Sequence, residues 1–287
     1  MLAVYQPGKQ TFRSVIPSQQ PLRMLGISGL ARSEDHILVV TQAGLPLDPT
    51  GKFFTQSYLF ILARDSLKLV ASHRLQQVKD AHSICYLDGR LYIASSGTDE
   101  IIELLLNVTS IVSENVFWRL EPDGPAMDMN HINGICTSPD GLIVTGFGRR
   151  SEETRQWASN GFVFNITRNQ LLASGLEQPH SPISLGGKSI AYCESSRRTL
   201  RIAGEDRELV LPGYSRGICQ MGAELYVGTS VRRTVSRSTG AAVIQTGGGP
   251  ANPDLCTINR VSAAEFSLLS SVTLGLGLSE IYDFLPI

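Results

Sequence analysis

Three histidines recur at one spacing: His82, His131 and His180 lie 49 positions apart. Each opens a similar segment, DAHSICYLDGRLYIASS from Asp80, NHINGICTSPDGLIVTG from Asn130 and PHSPISLGGKSIAYCES from Pro179. A fourth segment, YSRGICQMGAELYVGTS from Tyr214, carries Arg216 where the first has His82. A period of roughly 40–50 residues with two hairpins per unit marks a propeller blade, whose innermost strand borders one central channel. One polar side chain per repeat is therefore expected to reach a shared place.

Short runs rich in Val, Ile, Leu and Tyr alternate with Gly, Asp, Asn and Pro, and no long stretch keeps a helical period. Inner hairpins are expected near 26–41, 80–95, 131–146, 180–193 and 215–229, with outer hairpins near 57–75, 99–120, 161–176, 198–212 and 255–275. These make five blades. Two segments remain, LAVYQPGKQTFRSVI near the N-terminus and SEIYDFLPI at the C-terminus, and neither can bury both faces alone. Paired in one sheet they would form a sixth blade, closing the ring and removing an exposed edge. The expected fold is an all-β, six-bladed propeller, with seven blades as the alternative count, and residues 1–287 form a single domain.

With 25 basic against 26 acidic residues, the chain has no electrostatic footprint for nucleic acid or an anionic membrane. Its first residues, MLAVYQPGKQTF, hold no apolar run of signal-peptide length, so the expected location is cytoplasmic. Five cysteines is an odd number for a disulfide scaffold. Cys85, Cys136 and Cys219 each follow an Ile in the same hairpin slot and read as free thiols packed between sheets. No G-x-S-x-G elbow is present, and Gly51-Lys52 lacks the glycine and helix of a phosphate loop, which disfavours serine-hydrolase and nucleotide chemistry.

Three neutral imidazoles with an open position suit a divalent metal such as zinc or iron, so His82, His131 and His180 are candidate ligands. Asp80 and Asp128 stand close enough in sequence to orient such rings. Arg216 could clamp an anionic group, and Tyr282 or Asp283 could move a proton. The competing reading is a ring that only holds ordered water or neighbouring backbone. Matching Leu87 to Leu185 aligns His82 with His180, but in the middle repeat the match is Asn133, with His131 two residues earlier. Three long connections, 42–56, 149–160 and 231–254, are expected on the same face as these residues and are candidate functional loops. Within them, Trp157 is a ligand platform or a loop anchor, and Arg232, Arg233 and Arg237 form a small basic cluster.

The stretches Asn130-His-Ile-Asn-Gly134, Gln178-Pro-His-Ser-Pro182, Leu211-Pro-Gly-Tyr-Ser-Arg-Gly217, Tyr226-Val-Gly-Thr-Ser-Val-Arg232 and Glu280-Ile-Tyr-Asp-Phe284 resemble an uncharacterised bacterial propeller-like family. Its motifs have the form H-x-N-G, P-H-S-P, P-G-[FY]-x-R-G, V-G-x-S-x-x-R and E-[LI]-Y-D. The resemblance implies that His131, Asn133, His180, Arg216, Arg232, Glu280, Tyr282 and Asp283 are signature positions, and it supplies no reaction. By architecture alone, the inventory of His82, His131, His180, Arg216 and Tyr282 is also similar to six-bladed lyases with a metal on three channel histidines. The expected function is an enzyme acting on a small molecule or peptide at the channel mouth, as a lyase, hydrolase or cyclase. Asn133, Arg216, Arg232, Glu280 and Trp157 would bind the ligand. The alternative is a propeller that binds a ligand or protein without turning it over.

Overall fold

The computed structural model describes residues 3–6, 11–14, 23–44, 55–151, 160–231, 233, 254–275 and 278–286. A two-stranded hairpin comes first, β1 (Ala3–Gln6) with β2 (Thr11–Ser14). Blade 1 follows with β3 (Arg23–Arg32), β4 (His36–Gly44), β5 (Thr55–Ala63) and β6 (Leu69–Arg74). Blade 2 holds β7 (Ala81–Leu87), β8 (Arg90–Ser95), β9 (Glu100–Asn107) and β10 (Ser110–Arg119). In blade 3 these are β11 (Ile132–Ser138), β12 (Gly141–Gly146), β13 (Gly161–Asn165) and β14 (Gln170–Leu176). Blade 4 contains β15 (Pro179–Ser184), β16 (Ile190–Glu194), β17 (Thr199–Ile202) and β18 (Glu208–Val210). Blade 5 closes the series with β19 (Tyr214–Met221), β20 (Glu224–Ser230), β21 (Thr257–Ser262) and β22 (Ser267–Thr273).

Each blade is an antiparallel meander of consecutive strands, and the innermost strands β3, β7, β11, β15 and β19 succeed one another about the axis. The chain is thus an all-β propeller of five four-stranded blades. The expected hairpins coincide with the observed ones because the turn residues dictate them. At Asp88-Gly89 both φ angles are positive, 49° and 80°, as the tight turn between two twisted strands requires.

The blades bury their faces against one another in a succession of apolar clusters. Leu38, Leu59, Ile84 and Ile93 join blade 1 to blade 2, and Ala94, Ile101, Ile132 and Val144 join blade 2 to blade 3. Blades 3 and 4 meet through Ile143, Val163 and Tyr192, and blades 4 and 5 through Leu200, Ile218 and Val227. All five cysteines are free. Cys85, Cys136 and Cys219 pack against the clusters between sheets, as their repeated slot suggests, and burial pushes Cys136 and Cys219 up to about 12.

Among the described residues, the expected sixth blade does not form. β1 and β2 pair only with each other, and residues 278–286 carry no strand. The C-terminal segment nevertheless fills the gap between blades 5 and 1. Ile281 and Phe284 pack on Cys219, Tyr226 and Ile258 of blade 5, while Leu285 packs on the Val39 and Phe60 cluster of blade 1. One backbone bond, from the Val231 N–H to Ser279 O at 2.8 Å, ties it to blade 5, and side chains supply further bonds in place of a ladder. Ile281 donates its N–H to Ser230 Oγ at 3.0 Å, and Asp283 Oδ2 accepts the N–H of Leu30 at 2.9 Å. Pro286 has no N–H to offer a strand partner. The ring therefore has six walls of which five are sheets, and this corrects the six- and seven-blade counts and the closure by paired terminal strands. Among the described residues, no helix is long and apolar enough to cross a membrane.

Candidate channel-mouth site

A repeated latch sets the level of the site. Ser96 Oγ donates to Ile132 O at 2.6 Å, Ser195 Oγ to Ser215 O at 2.6 Å and Ser230 Oγ to Ile281 O at 3.1 Å. In blade 1 the same task falls to Gln42, whose Nε2 donates to Ala81 O at 2.9 Å. Each latch reaches from the end of one blade's second strand to the next wall's first residues. The residue after each accepting carbonyl is His82, Asn133, Arg216 or Tyr282. His180, which follows Pro179 opposite Glu194, and Ser28, which follows Ile27 opposite Thr41, take the same place on their strands.

Every inner strand also shifts register at this level: between Ile27 and Gly29, Ala81 and Ser83, Ile132 and Gly134, His180 and Ile183, and Arg216 and Ile218. Such bulges re-aim side chains at the rim of a sheet. The six side chains Ser28, His82, Asn133, His180, Arg216 and Tyr282 line one cavity of about 700 Å³, together with Asp283.

The backbone two residues before each histidine fixes its tautomer. Asp80 and Gln178 have left-handed φ, 53° and 55°, and their carbonyls lie 3.0 Å from His82 Nδ1 and His180 Nδ1 respectively. A carbonyl can only accept, so both Nδ1 atoms carry the proton and Nε2 keeps the lone pair. His180 Nδ1 also lies 2.7 Å from Ser195 Oγ, whose own hydrogen is committed to Ser215. Both rings are held neutral. Burial lowers His82 to about 4 against the weaker pull of Asp80, and burial and Arg216 bring His180 well below its ordinary value.

His131 occupies a different position. It precedes its strand with φ 51°, the place of Asp80 and Gln178, so Asn133 is the true counterpart of His82. Burial would lower His131, but the Asp128 carboxylate, 3.1 Å from Nδ1, with Asp80 and Asp99 nearby, raises it overall. Its ring stands edge-on to His82 at 4.7 Å between centroids. Phe147 separates it from His180, stacking 4.6 Å from one and 5.0 Å from the other. Among the described residues, no three His, Cys, Asp or Glu side chains are grouped to hold a metal ion. His131 is paired with Asp128 and the Phe147 ring packs against both His131 and His180, so the three imidazoles have different neighbours.

Arg216 lies against two tyrosine rings, its guanidinium carbon 5.0 Å from the Tyr214 centroid and 4.9 Å from that of Tyr282. Among the described residues it has no ion pair or hydrogen bond, and its Nε is buried without a partner. Two further ring atoms share that condition, Asn133 Nδ2 and His180 Nε2. Thr145 Oγ1 donates to Asn133 Oδ1 at 2.8 Å, which leaves the amide nitrogen as the unused end. Asp283 accepts the N–H groups of Leu30 and Phe284, each at 2.9 Å, yet burial pushes its carboxyl up to about 7.

Other expected positions do different work. Glu280 pairs with Arg233 through two contacts of 2.5 Å, and Arg233 also donates to the Tyr282 hydroxyl and stacks on its ring. Glu280 thus anchors the C-terminal segment and is absent from the cavity wall. Counted from Val227, the spacing V-G-x-S-x-x-R ends at Arg233, one residue beyond Arg232. Arg232 and Trp157 lie outside the described residues, as does most of each long connection. Sequence reasoning missed Phe147 and Ser28. Phe147 sits where Ser96 and Ser195 sit in their blades, and an alignment by strand ends would have exposed it.

Fold and ring together define a β-propeller with a polar ring at one end of its channel. The chain belongs to the family described as a domain of unknown function (DUF4915), whose profile matches residues 124–287. Among solved structures, it is similar to a luciferin-regenerating enzyme, with a TM-score of 0.57 and 13% identity over 88% of this chain and 78% of that one. A calcium-binding protein, regucalcin from Agrobacterium tumefaciens, gives 0.53 at 12% identity, covering 87% and 74% of the two chains. A chain of a nidogen/laminin complex gives 0.53 at 13% identity, covering 85% and 79%. These likenesses establish the architecture. No curated protein matches the sequence.

Proposed function

We propose that the channel mouth binds a small organic anion and that the protein acts on it by acid–base chemistry, as a lyase, hydrolase or cyclase. One observation carries this: Arg216, Asn133 and His180 line the same cavity, and each keeps a buried polar atom without a partner among the described residues. Leaving such groups unmade costs about 1–3 kcal/mol each, so a ligand that satisfies them gains that much. Arg216 holds the anion, its orientation set by the two tyrosine rings. His180 Nε2 accepts a proton from the bound molecule. Its basicity is low in the empty site, and a neighbouring negative charge raises it on binding. Asp283, with its carboxyl at about 7, is a second group able to carry that proton at neutral pH. Tyr282 serves as a platform for Arg216.

The test uses the untagged full chain, incubated with fractionated small-molecule extracts and analysed for retained and altered anions, beside Arg216→Gln and for metal content. Wild type is expected to retain or convert an anion that Arg216→Gln leaves untouched. Equal behaviour of the two proteins, or a stoichiometric metal held by the histidines, would contradict the reading. Retention of an unchanged ligand would favour the binding-module alternative.

A further inference from the structure

Within that reading, which it presupposes, the ring's hydrogen-bonding code narrows the ligand. Going round the mouth from blade 2, the ring offers an acceptor at His82 Nε2, a donor at Asn133 Nδ2, an acceptor at His180 Nε2 and a cationic donor at Arg216 Nε. The code is fixed, because each assignment follows from what the opposite end of the same side chain already does. Both imidazoles spend their Nδ1 proton on a carbonyl, and the Asn133 oxygen is spent on Thr145. A bare anion would satisfy Arg216 and Asn133 and leave His180 Nε2 unmet. That atom is buried in a residue only 4% exposed, so it asks for a donor on the ligand itself. His180 and Arg216 both lie against the Tyr214 ring, whose centroid is 5.7 Å from that of the imidazole and 5.0 Å from the guanidinium carbon, so one small molecule can meet both with a donor and an anion on neighbouring atoms.

We infer that the ligand is a carboxylate bearing a hydroxyl or amine on the neighbouring carbon, its carboxylate on Arg216 and Asn133 and its hydroxyl or amine donating to His180 Nε2. Arg216 suits a carboxylate in particular. Two aromatic rings, Tyr214 and Tyr282, stand about 5 Å from its guanidinium carbon and favour a held, planar group, and a guanidinium edge matches the two oxygens of a planar carboxylate.

Calorimetric titration of the full-length protein tests this with matched pairs: glycolate and acetate, lactate and propionate, mandelate and phenylacetate, with mandelamide and phenyl phosphate as further probes. In at least one pair the hydroxy acid should bind about tenfold or more tightly than its deoxy partner, since the deoxy acid leaves a buried acceptor unmet. Mandelamide should bind more weakly than mandelate. His180→Phe should bring the paired affinities together while Arg216-dependent binding persists. Asn133→Asp, which keeps the bond from Thr145, should remove carboxylate binding by charge repulsion and covers the case in which His180→Phe does not fold. Equal affinity within every pair, or Arg216-dependent binding of phenyl phosphate with no carboxylate bound, would overturn the ligand class and leave the anion site standing. Failure of every anion to bind in an Arg216-dependent way would overturn both.

Discussion

A left-handed residue two places before His82 and His180 does more for the site than either histidine does alone. By turning a carbonyl onto Nδ1 it decides which nitrogen keeps the lone pair. The repeat spacing revealed the histidines, but a positive φ at Asp80, Gln178 and His131 has no glycine to announce it. That is why His131 reads as a ligand in the sequence and proves to be the counterpart of Asp80. The sequence contained a hint in the Asn133 alignment, which the strand register vindicates. Arg216 was legible because one repeat replaces imidazole with guanidinium; its lack of a carboxylate partner among the described residues was not, since charge pairing depends on packing. Asp283 offers a test at this scale. Its carboxyl stands near 7 in the folded protein against an ordinary 3.8, so the folded state holds the proton more tightly. The resulting stabilisation is complete below about pH 4 and disappears as pH rises through about 7. Urea midpoints measured from pH 4 to 8 should therefore fall more for wild type than for Asp283→Asn across that window. A difference between the two proteins that does not vary with pH would contradict the assignment.

The C-terminal segment is the element whose nature the sequence concealed. Its sequence, Ile281-Tyr282-Asp283-Phe284-Leu285, was expected to pair as a strand in a sixth blade, and it instead packs between blades 5 and 1 without forming one. What it lacks is a ladder: beside one backbone bond from Val231 to Ser279, the side chains of Ser230 and Asp283 supply hydrogen bonds. Two glycines make its seat. At Gly228 an added Cβ would meet Arg216 O at 2.5 Å and Ile281 Cγ2 at 2.6 Å, and at Gly217, where φ is 67°, it would meet Asp283 Cα at 3.0 Å. A backbone oxygen cannot swing aside as a side-chain tip can. Gly228→Ala should destabilise the protein by about 1–3 kcal/mol and make the segment after Gly275 a preferred site of limited proteolysis. Unchanged stability and an unchanged cleavage pattern would show that the segment does not rest on that glycine.

At the scale of the molecule, the circle of apolar interfaces explains why a chain with only five sheets closes. Each sheet face needs a neighbour, and without the C-terminal segment the Val39 and Phe60 cluster of blade 1 and the Tyr226 and Ile258 cluster of blade 5 would lose theirs. Periodicity and turn chemistry made the blades legible almost hairpin for hairpin. Closure was not legible, because it depends on single hydrogen bonds between residues some 250 positions apart, such as Leu30 with Asp283. The channel mouth depends on that closure, since Tyr282 supplies both the sixth position and one of the two rings beside Arg216. Amide hydrogen exchange read at Leu30 and Ile281 tests this most directly, because both amides donate only to the side chains that bind the segment in place. Closure by the segment predicts that these two amides exchange slowly, with protection comparable to the inner strands. Exchange at the rate of an unstructured peptide, while β3 and β20 stay protected, would contradict it.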